Sequence, residues 1–347
     1  MGYWAKLFCL PVLVFALCRG VVGDPKFPCY FIFGDSLLDV GNNNGLKTSA
    51  KANYLPYGID FPQGPTGRFS NGLNAADFIA KDLGFEDFIP PYVTVKRKDV
   101  IKGVNYASAG SGILDETGEN LGERFSFNTQ ILYHQEVISH IETLQGNETY
   151  TQDHLKKCLY TVQIGSNDYI NNYFGPKSHD KRINVTPAQF ATTLINQFCK
   201  QLNWLYKLGA RKFSISVIPQ IGCAPAERKL YGTEMACVKE INDAVNVFNA
   251  KQLNLIGDLR ARLEDAKFVL PILDVPKIGP LQSIGSLVIG DPCCKVSTKG
   301  VTRGQCLPIN VTCGQRNRYL FFDGFHPTEL ANLFYSRQMM LVISHLI

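Results

Sequence analysis

Short apolar runs alternate with stretches of helical period along most of the chain. Runs rich in β-branched and aromatic residues occur at Cys29–Phe33 (CYFIF), Val104–Ala107, Cys158–Ile164, Lys212–Ile218 and Phe268–Leu273. Each has the length and composition of a strand. Between them, apolar residues recur at helical spacing. Asn71 is placed to cap a helix reaching Leu83, and Thr129 to open another reaching Leu144. The clearest helix has Thr186 as N-cap and Pro187 at its first position. Its stripe is Phe190, Leu194, Phe198, Leu202, Leu205 and Leu208, and Gly209 closes it. A long helix is predicted from Val238 to Leu263, and a last one from Pro327 to the C-terminus. Strands alternating with helices imply a single α/β domain, with about five parallel strands sandwiched between helices. The unbroken apolar run at Cys29–Phe33 suits a strand buried on both faces. Ligands of such sheets sit beyond the carboxyl ends of the strands.

The first residues, MGYWAKLFCLPVLVFALCRGVVG, depart from this alternation. One lysine precedes an apolar stretch from Leu7 to Cys18, and Val21 and Gly23 offer small residues for cleavage. This is the pattern of a signal peptide over residues 1–23, too short to span a bilayer comfortably, followed by one domain over 24–347. The alternative is an N-terminal anchor. No later apolar stretch has spanning length, so stable membrane insertion is not expected. The net charge of +5 drops by two when Lys6 and Arg19 leave with the leader. That balance is too mild to argue for nucleic acid or an anionic surface as partner.

Nine of the 11 cysteines lie beyond the leader. In an oxidising compartment their close groupings read as disulfides: Cys223 with Cys237, and Cys293, Cys294, Cys306 and Cys313 among themselves. Zinc is the alternative for the last four, but their spacing holds no Cys-x-x-Cys pair. An odd number leaves at least one thiol free, and Cys29, inside the first apolar run, is the expected buried one. Three glycosylation sequons, at Asn147, Asn184 and Asn310, lie in polar connecting stretches, in keeping with secretion to the extracellular space or cell wall.

Four segments concentrate reactive chemistry. GDS with Ser36 follows the first strand, SAGSG (Ser108–Gly112) the second and GSND (Gly165–Asp168) the third, while DGFHP with Asp323 and His326 precedes the last helix. A Gly-Asp-Ser sequence alone is ordinary turn chemistry. In company it supplies the parts of an ester hydrolase. A serine hydroxyl needs an imidazole to accept its proton, and the imidazole needs a carboxylate to hold its tautomer. Ser36 is the candidate nucleophile, His326 the base and Asp323 its orienting partner. The oxyanion donors are the backbone N–H groups of Ser36 and Gly110 and the side-chain amide of Asn167. Asp35 helps shape the turn and takes no catalytic step. A G-x-S-x-G elbow is absent, which argues against an α/β-hydrolase fold.

FGDSLLDVGNNN, NYASAGSGI, GSNDYINNYF and FDGFHPTE together resemble the four sequence blocks of the GDSL esterase/lipase family, the plant-type branch of the SGNH hydrolases. PYGIDFPQGPTGRFSNG and QIGCAPAERK, with CVKEIN from Cys237, are also similar to that branch. The resemblance implies a flavodoxin-like three-layer α/β/α sandwich and a serine esterase that needs no metal or cofactor, with the same residues in the roles named above. The chain departs from the family pattern at Phe322, where tryptophan is usual, at Lys295, where glycine is usual, and over Leu273–Gly285. These departures leave the catalytic groups in place and touch the pocket rim.

Within an ester hydrolase, a lipid ester and an acetylated cell-wall polysaccharide both remain open as substrates. Tyr54, Tyr57, Tyr169, Tyr173 and Phe174 would either line an acyl groove, stack on sugars or simply pack. An acyltransferase would use the same acyl-enzyme with another acceptor, and a silent glycan-binding protein would keep the fold alone. Oligomeric state is not legible.

Overall fold

The computed structural model describes residues 24–175, 184–233, 236–271 and 287–347. The leader and the Leu273–Gly285 departure lie outside the described residues. Among the described residues the central sheet has four parallel strands where about five were expected: β1 (Tyr30–Gly34), β2 (Leu159–Gln163), β3 (Lys212–Ile215) and β4 (Lys267–Val269), in that lateral order. The 104–108 segment runs along the outer edge of β1, through Ile32 N–H to Val104 O, Tyr106 N–H to Ile32 O and Ser108 N–H to Gly34 O. The chain therefore leaves β1 in one direction and returns to place β2 on its other side. That reversal is where open α/β sheets bind ligands.

Both faces of the sheet are covered. Phe31, Phe33, Tyr160, Val162, Phe213 and Ile215 point to one side. There they meet α2 (Phe127–Gln145), α4 (Pro187–Lys207) and α6 (Lys239–Arg262). On the other side Tyr30, Ile32 and Leu159 pack with α1 (Ala75–Asp82) and α7 (Glu329–Ile343). The result is an α/β/α sandwich.

Local signals placed most helices. Thr186 caps α4 in a capping box with Gln189, Pro187 is its first residue, and Gly209 follows its end at φ +109°. Others needed correction. The cap of α1 is Asn74, because Asp77 stands three residues on to complete the box, and Asp77 is also gripped by both Arg68 donors at 2.7 Å. Asn71 instead bonds Asp60 and accepts from the Glu329 N–H. Ser126, not Thr129, caps α2. The last helix proper starts after Thr328, whose side chain caps it. Two helices gave no clear periodic signal: α3 (Glu148–Lys157) and the short α5 (Pro225–Leu230).

Among the described residues there are four disulfides: Cys29–Cys158, Cys223–Cys237, Cys293–Cys313 and Cys294–Cys306. Cys29 is thus not the free thiol. It precedes β1 where Cys158 precedes β2, and parallel pairing brings their Cα atoms to 4.8 Å. Among the described residues the free cysteine is Cys199 on α4. The last two bridges tie down a loop between β5 (Val288–Pro292) and β6 (Tyr319–Phe321), which pair as a small separate sheet. Asp323 and His326 lie in the turn that directly follows β6.

Candidate active site

The turn after β1 presents Ser36. Asp35 shapes it: its carbonyl accepts from Leu38 and Asp39 N–H, and its Oδ1 from Leu37 N–H at 3.0 Å. Ser36 Oγ lies 2.7 Å from His326 Nε2, and His326 Nδ1 lies 2.7 Å from Asp323 Oδ2. Asp323 is completely buried. Its Oδ1 accepts the backbone N–H groups of Phe325 and His326 at 2.8 and 2.7 Å. The three-residue spacing with Gly324 inside it lets one turn carry both side chains. Phe69 lies 4.7 Å from the imidazole, ring centre to ring centre.

A further group completes the aspartate's shell: Tyr57, which the sequence left open between groove, stacking and packing, without this role. Tyr57 donates its hydroxyl to Asp323 Oδ2 at 2.6 Å and accepts from Cys306 N–H at 3.1 Å. Burial, reinforced by the Asp323 charge, holds this phenol well above its ordinary value, so it stays a donor. Tyr54 donates to the carbonyl oxygen of the same residue, Cys306, at 2.8 Å, and its ring meets Tyr57 edge-on. Phe322 is fully buried and packs against Tyr57.

The remaining segments converge on Ser36. Gly110 adopts φ +85°, a conformation open to glycine with little strain. Among the described residues neither the Ser36 nor the Gly110 N–H has a hydrogen-bond partner. Asn167 donates one Nδ2 hydrogen to Ser111 O at 3.0 Å, and its Oδ1 accepts from Asn171 Nδ2 at 2.7 Å. Those two contacts define which way the amide faces and leave its second N–H for a ligand.

Two buried carboxylates staple these loops together. Asp39 accepts from Gly41, Asn42 and Ala109 N–H groups, binding the first block to the second. Asp168 accepts from Ile113 and Leu114 N–H and the Thr117 hydroxyl, binding the third to the second. Burial raises both carboxyls to about 6 against the pull of those donors. Asn42 and Asn43 add donors to the carbonyls of Asn105, Ala107, Ala50 and Ala109. The GNNN stretch after Asp39 was the only sequence signal for this.

The four segments meet in one cavity of about 1100 Å³, lined by Ser36, Gly110, Asn167 and His326. Residues 30–338 match the family model described as GDSL-like lipase/acylhydrolase. The chain belongs to this family. It is 44% identical to GDSL esterase/lipase At1g29670 of Arabidopsis thaliana, covering 94% of this chain and 92% of that one. It is 43% identical to GDSL esterase/lipase At5g45670 of the same plant, over 91% and 88%. GDSL esterase/lipase At4g18970 follows at 41%, over 94% and 92%. As a member of this family the protein is a carboxylic ester hydrolase.

Tyr169, Tyr173 and Phe174, open between groove and packing from sequence, are buried in the main core with Phe190. Asn147, Asn184 and Asn310 are all exposed, and Asn147 caps α3 through Oδ1. Among the described residues no helix is long and apolar enough to cross a membrane.

Proposed function

We propose that residues 24–347 form a secreted serine esterase that cleaves carboxylic esters through an acyl-enzyme on Ser36. The observation that carries this is the continuous path from Ser36 Oγ through His326 to the buried Asp323. His326 Nε2 takes the serine proton as Oγ attacks the ester carbonyl. The Ser36 and Gly110 N–H groups and the Asn167 amide receive the oxyanion, an arrangement that needs no reorganisation during reaction. His326 then returns the proton to the leaving alcohol. Water, deprotonated by the same imidazole, releases the acid and restores Ser36. No step calls for a cofactor.

The favoured substrate is a lipid ester rather than an acetylated polysaccharide. Leu121, Ile170, Ile221, Leu230 and Val301 line the cavity, and an acetyl group would cover little of that surface. The leader pattern, the four disulfides and the three exposed sequons support secretion.

The test compares mature wild type with Ser36→Ala on acetyl-, butyryl-, octanoyl- and palmitoyl-p-nitrophenyl esters and on acetylated xylan. Turnover that Ser36→Ala abolishes, rising with chain length, is expected. Equal turnover by Ser36→Ala, or release of acetate from xylan alone, would overturn the nucleophile or the substrate class respectively. His326→Ala is expected to cost more than Asp323→Asn, because a tethered imidazole still acts in part of its orientations.

A further inference from the structure

The cavity around Ser36 has a second kind of wall. Asp35, Gln163 and Tyr335 line it together with Ser36 and His326. Asp35 and Gln163 are 1% and 4% exposed, yet Asp35 Oδ2 and Gln163 Oε1 have no hydrogen-bond partner among the described residues. Tyr335 donates its hydroxyl to Ser216 Oγ at 3.2 Å, which leaves the phenol oxygen able to accept. Buried acceptors without partners are costly, so these oxygens suit an occupant that brings donors.

The fold explains why they lie together. Gly34 and Gln163 are register partners at the carboxyl ends of β1 and β2, and Asp35 follows Gly34 directly. The helix α7 covers that sheet face. Its Ala331, Phe334, Tyr335 and Gln338 follow helical spacing and form one lining row. The same helix follows His326 within three residues. Because His326 delivers a proton to the leaving oxygen, the alcohol half of the ester belongs on the His326 side, toward α7.

We propose that Asp35, Gln163 and Tyr335 form an alcohol subsite that accepts hydrogen bonds from the free hydroxyls of an acylated polyol, giving selectivity over simple alkyl esters. The proposal rests on the esterase reading above and extends it to the alcohol. An alkyl alcohol would leave both buried oxygens unpartnered, and a site built to bond a hydroxyl discriminates against the analogue lacking it. The assays run at pH 8, above the raised Asp35 value of about 7, where the carboxyl is ionised and its Oδ2 accepts.

The experiment holds the acyl chain constant. The specificity constant kcat/KM is measured for mature wild type, Gln163→Leu and Tyr335→Phe on ethyl octanoate, 1-octanoylglycerol and 6-O-octanoylglucose. Wild type is expected to prefer at least one polyol ester over the ethyl ester by about tenfold, and the better of the two distinguishes glycerol from a sugar. That preference ratio should shrink several-fold in Gln163→Leu and in Tyr335→Phe, with weaker inhibition by the corresponding free polyol. Equal wild-type rates on all three esters, or a ratio untouched by both variants, would refute the subsite while leaving the esterase intact. No wild-type turnover on any ester would remove the esterase reading and the subsite with it. Should Gln163→Leu fail to fold, Tyr335→Phe, which deletes a single oxygen, decides.

Discussion

Tyr57 and Asp323 lie 266 residues apart in sequence, yet the tyrosine hydroxyl donates to the aspartate carboxylate at 2.6 Å. The bond leaves Asp323 Oδ2 shared between a phenol and an imidazole, so the carboxylate cannot rotate away from His326. Deleting the hydroxyl in Tyr57→Phe should lower kcat by roughly tenfold, the scale of one hydrogen bond to a charged group. Steady-state kinetics on one soluble ester check this: the loss should fall on kcat with KM nearly unchanged, and an unchanged kcat would mean that Tyr57 only packs.

The Cys306 peptide holds Tyr57 in turn, since its N–H reaches the phenol and its sulfur is bridged to Cys294. Replacing both cysteines by serine should therefore cost activity, by about as much as Tyr57→Phe. In the Tyr57→Phe background the same replacement should cost little more, because the two changes break one chain of contacts. Fully multiplicative losses in that double-mutant cycle would separate the disulfide from the aspartate.

Asn171 sets the direction of the Asn167 amide. Asn167→Ala is expected to reduce kcat by about 10²–10³ with a small change in KM, as for loss of an oxyanion donor. Asn171→Leu should act in the same direction but more weakly, roughly fivefold, because the Ser111 contact still favours the productive orientation. Steady-state kinetics on one soluble ester give both numbers. A larger loss for Asn171→Leu than for Asn167→Ala would reverse the assigned roles.

Burial raises the Asp35 carboxyl to about 7, against the pull of the Leu37 N–H. The folded value exceeds that of an unfolded aspartate, about 3.9, so the folded state holds a proton the unfolded chain has already lost. That stability is complete below about pH 4 and vanishes as pH rises through 7. Asp35→Asn cannot lose it. Between pH 5 and pH 8 the Tm of wild type should therefore fall relative to Asp35→Asn by roughly 4 °C. Asp39 and Asp168 are common to both proteins and cancel from the difference. Parallel Tm curves would show Asp35 to be ionised throughout.

Four bridges and Cys199 account for the nine cysteines beyond the leader. Thiol titration of the denatured, unreduced mature protein should count one thiol, and Cys199→Ser should count none. Three thiols in the wild type would mean that one of the four bridges is not formed.

The sequence alone determined whatever depends on neighbours within a helical turn or a strand. Thr186, Pro187 and Gln189 specify the start of α4, because a side chain three residues away can satisfy an end N–H without help from elsewhere. The apolar runs specified β1, β2 and β3, since a strand buried on both faces must be apolar along its whole length. Ser36, Asp323 and His326 were legible because their short motifs carry chemistry that packing seldom demands. Tertiary structure decided the rest. Asn74 prevailed over Asn71 as a cap once Asp60 and Glu329 had claimed Asn71. Cys29 found Cys158 only because β1 and β2 are sheet neighbours. Tyr57 reached Asp323, and Asp35 came to share a wall with Gln163 and Tyr335, across separations that no local pattern encodes. Such contacts depend on which surfaces the folded layers bring together, and that is settled by burial of the whole core rather than by any short stretch of chain.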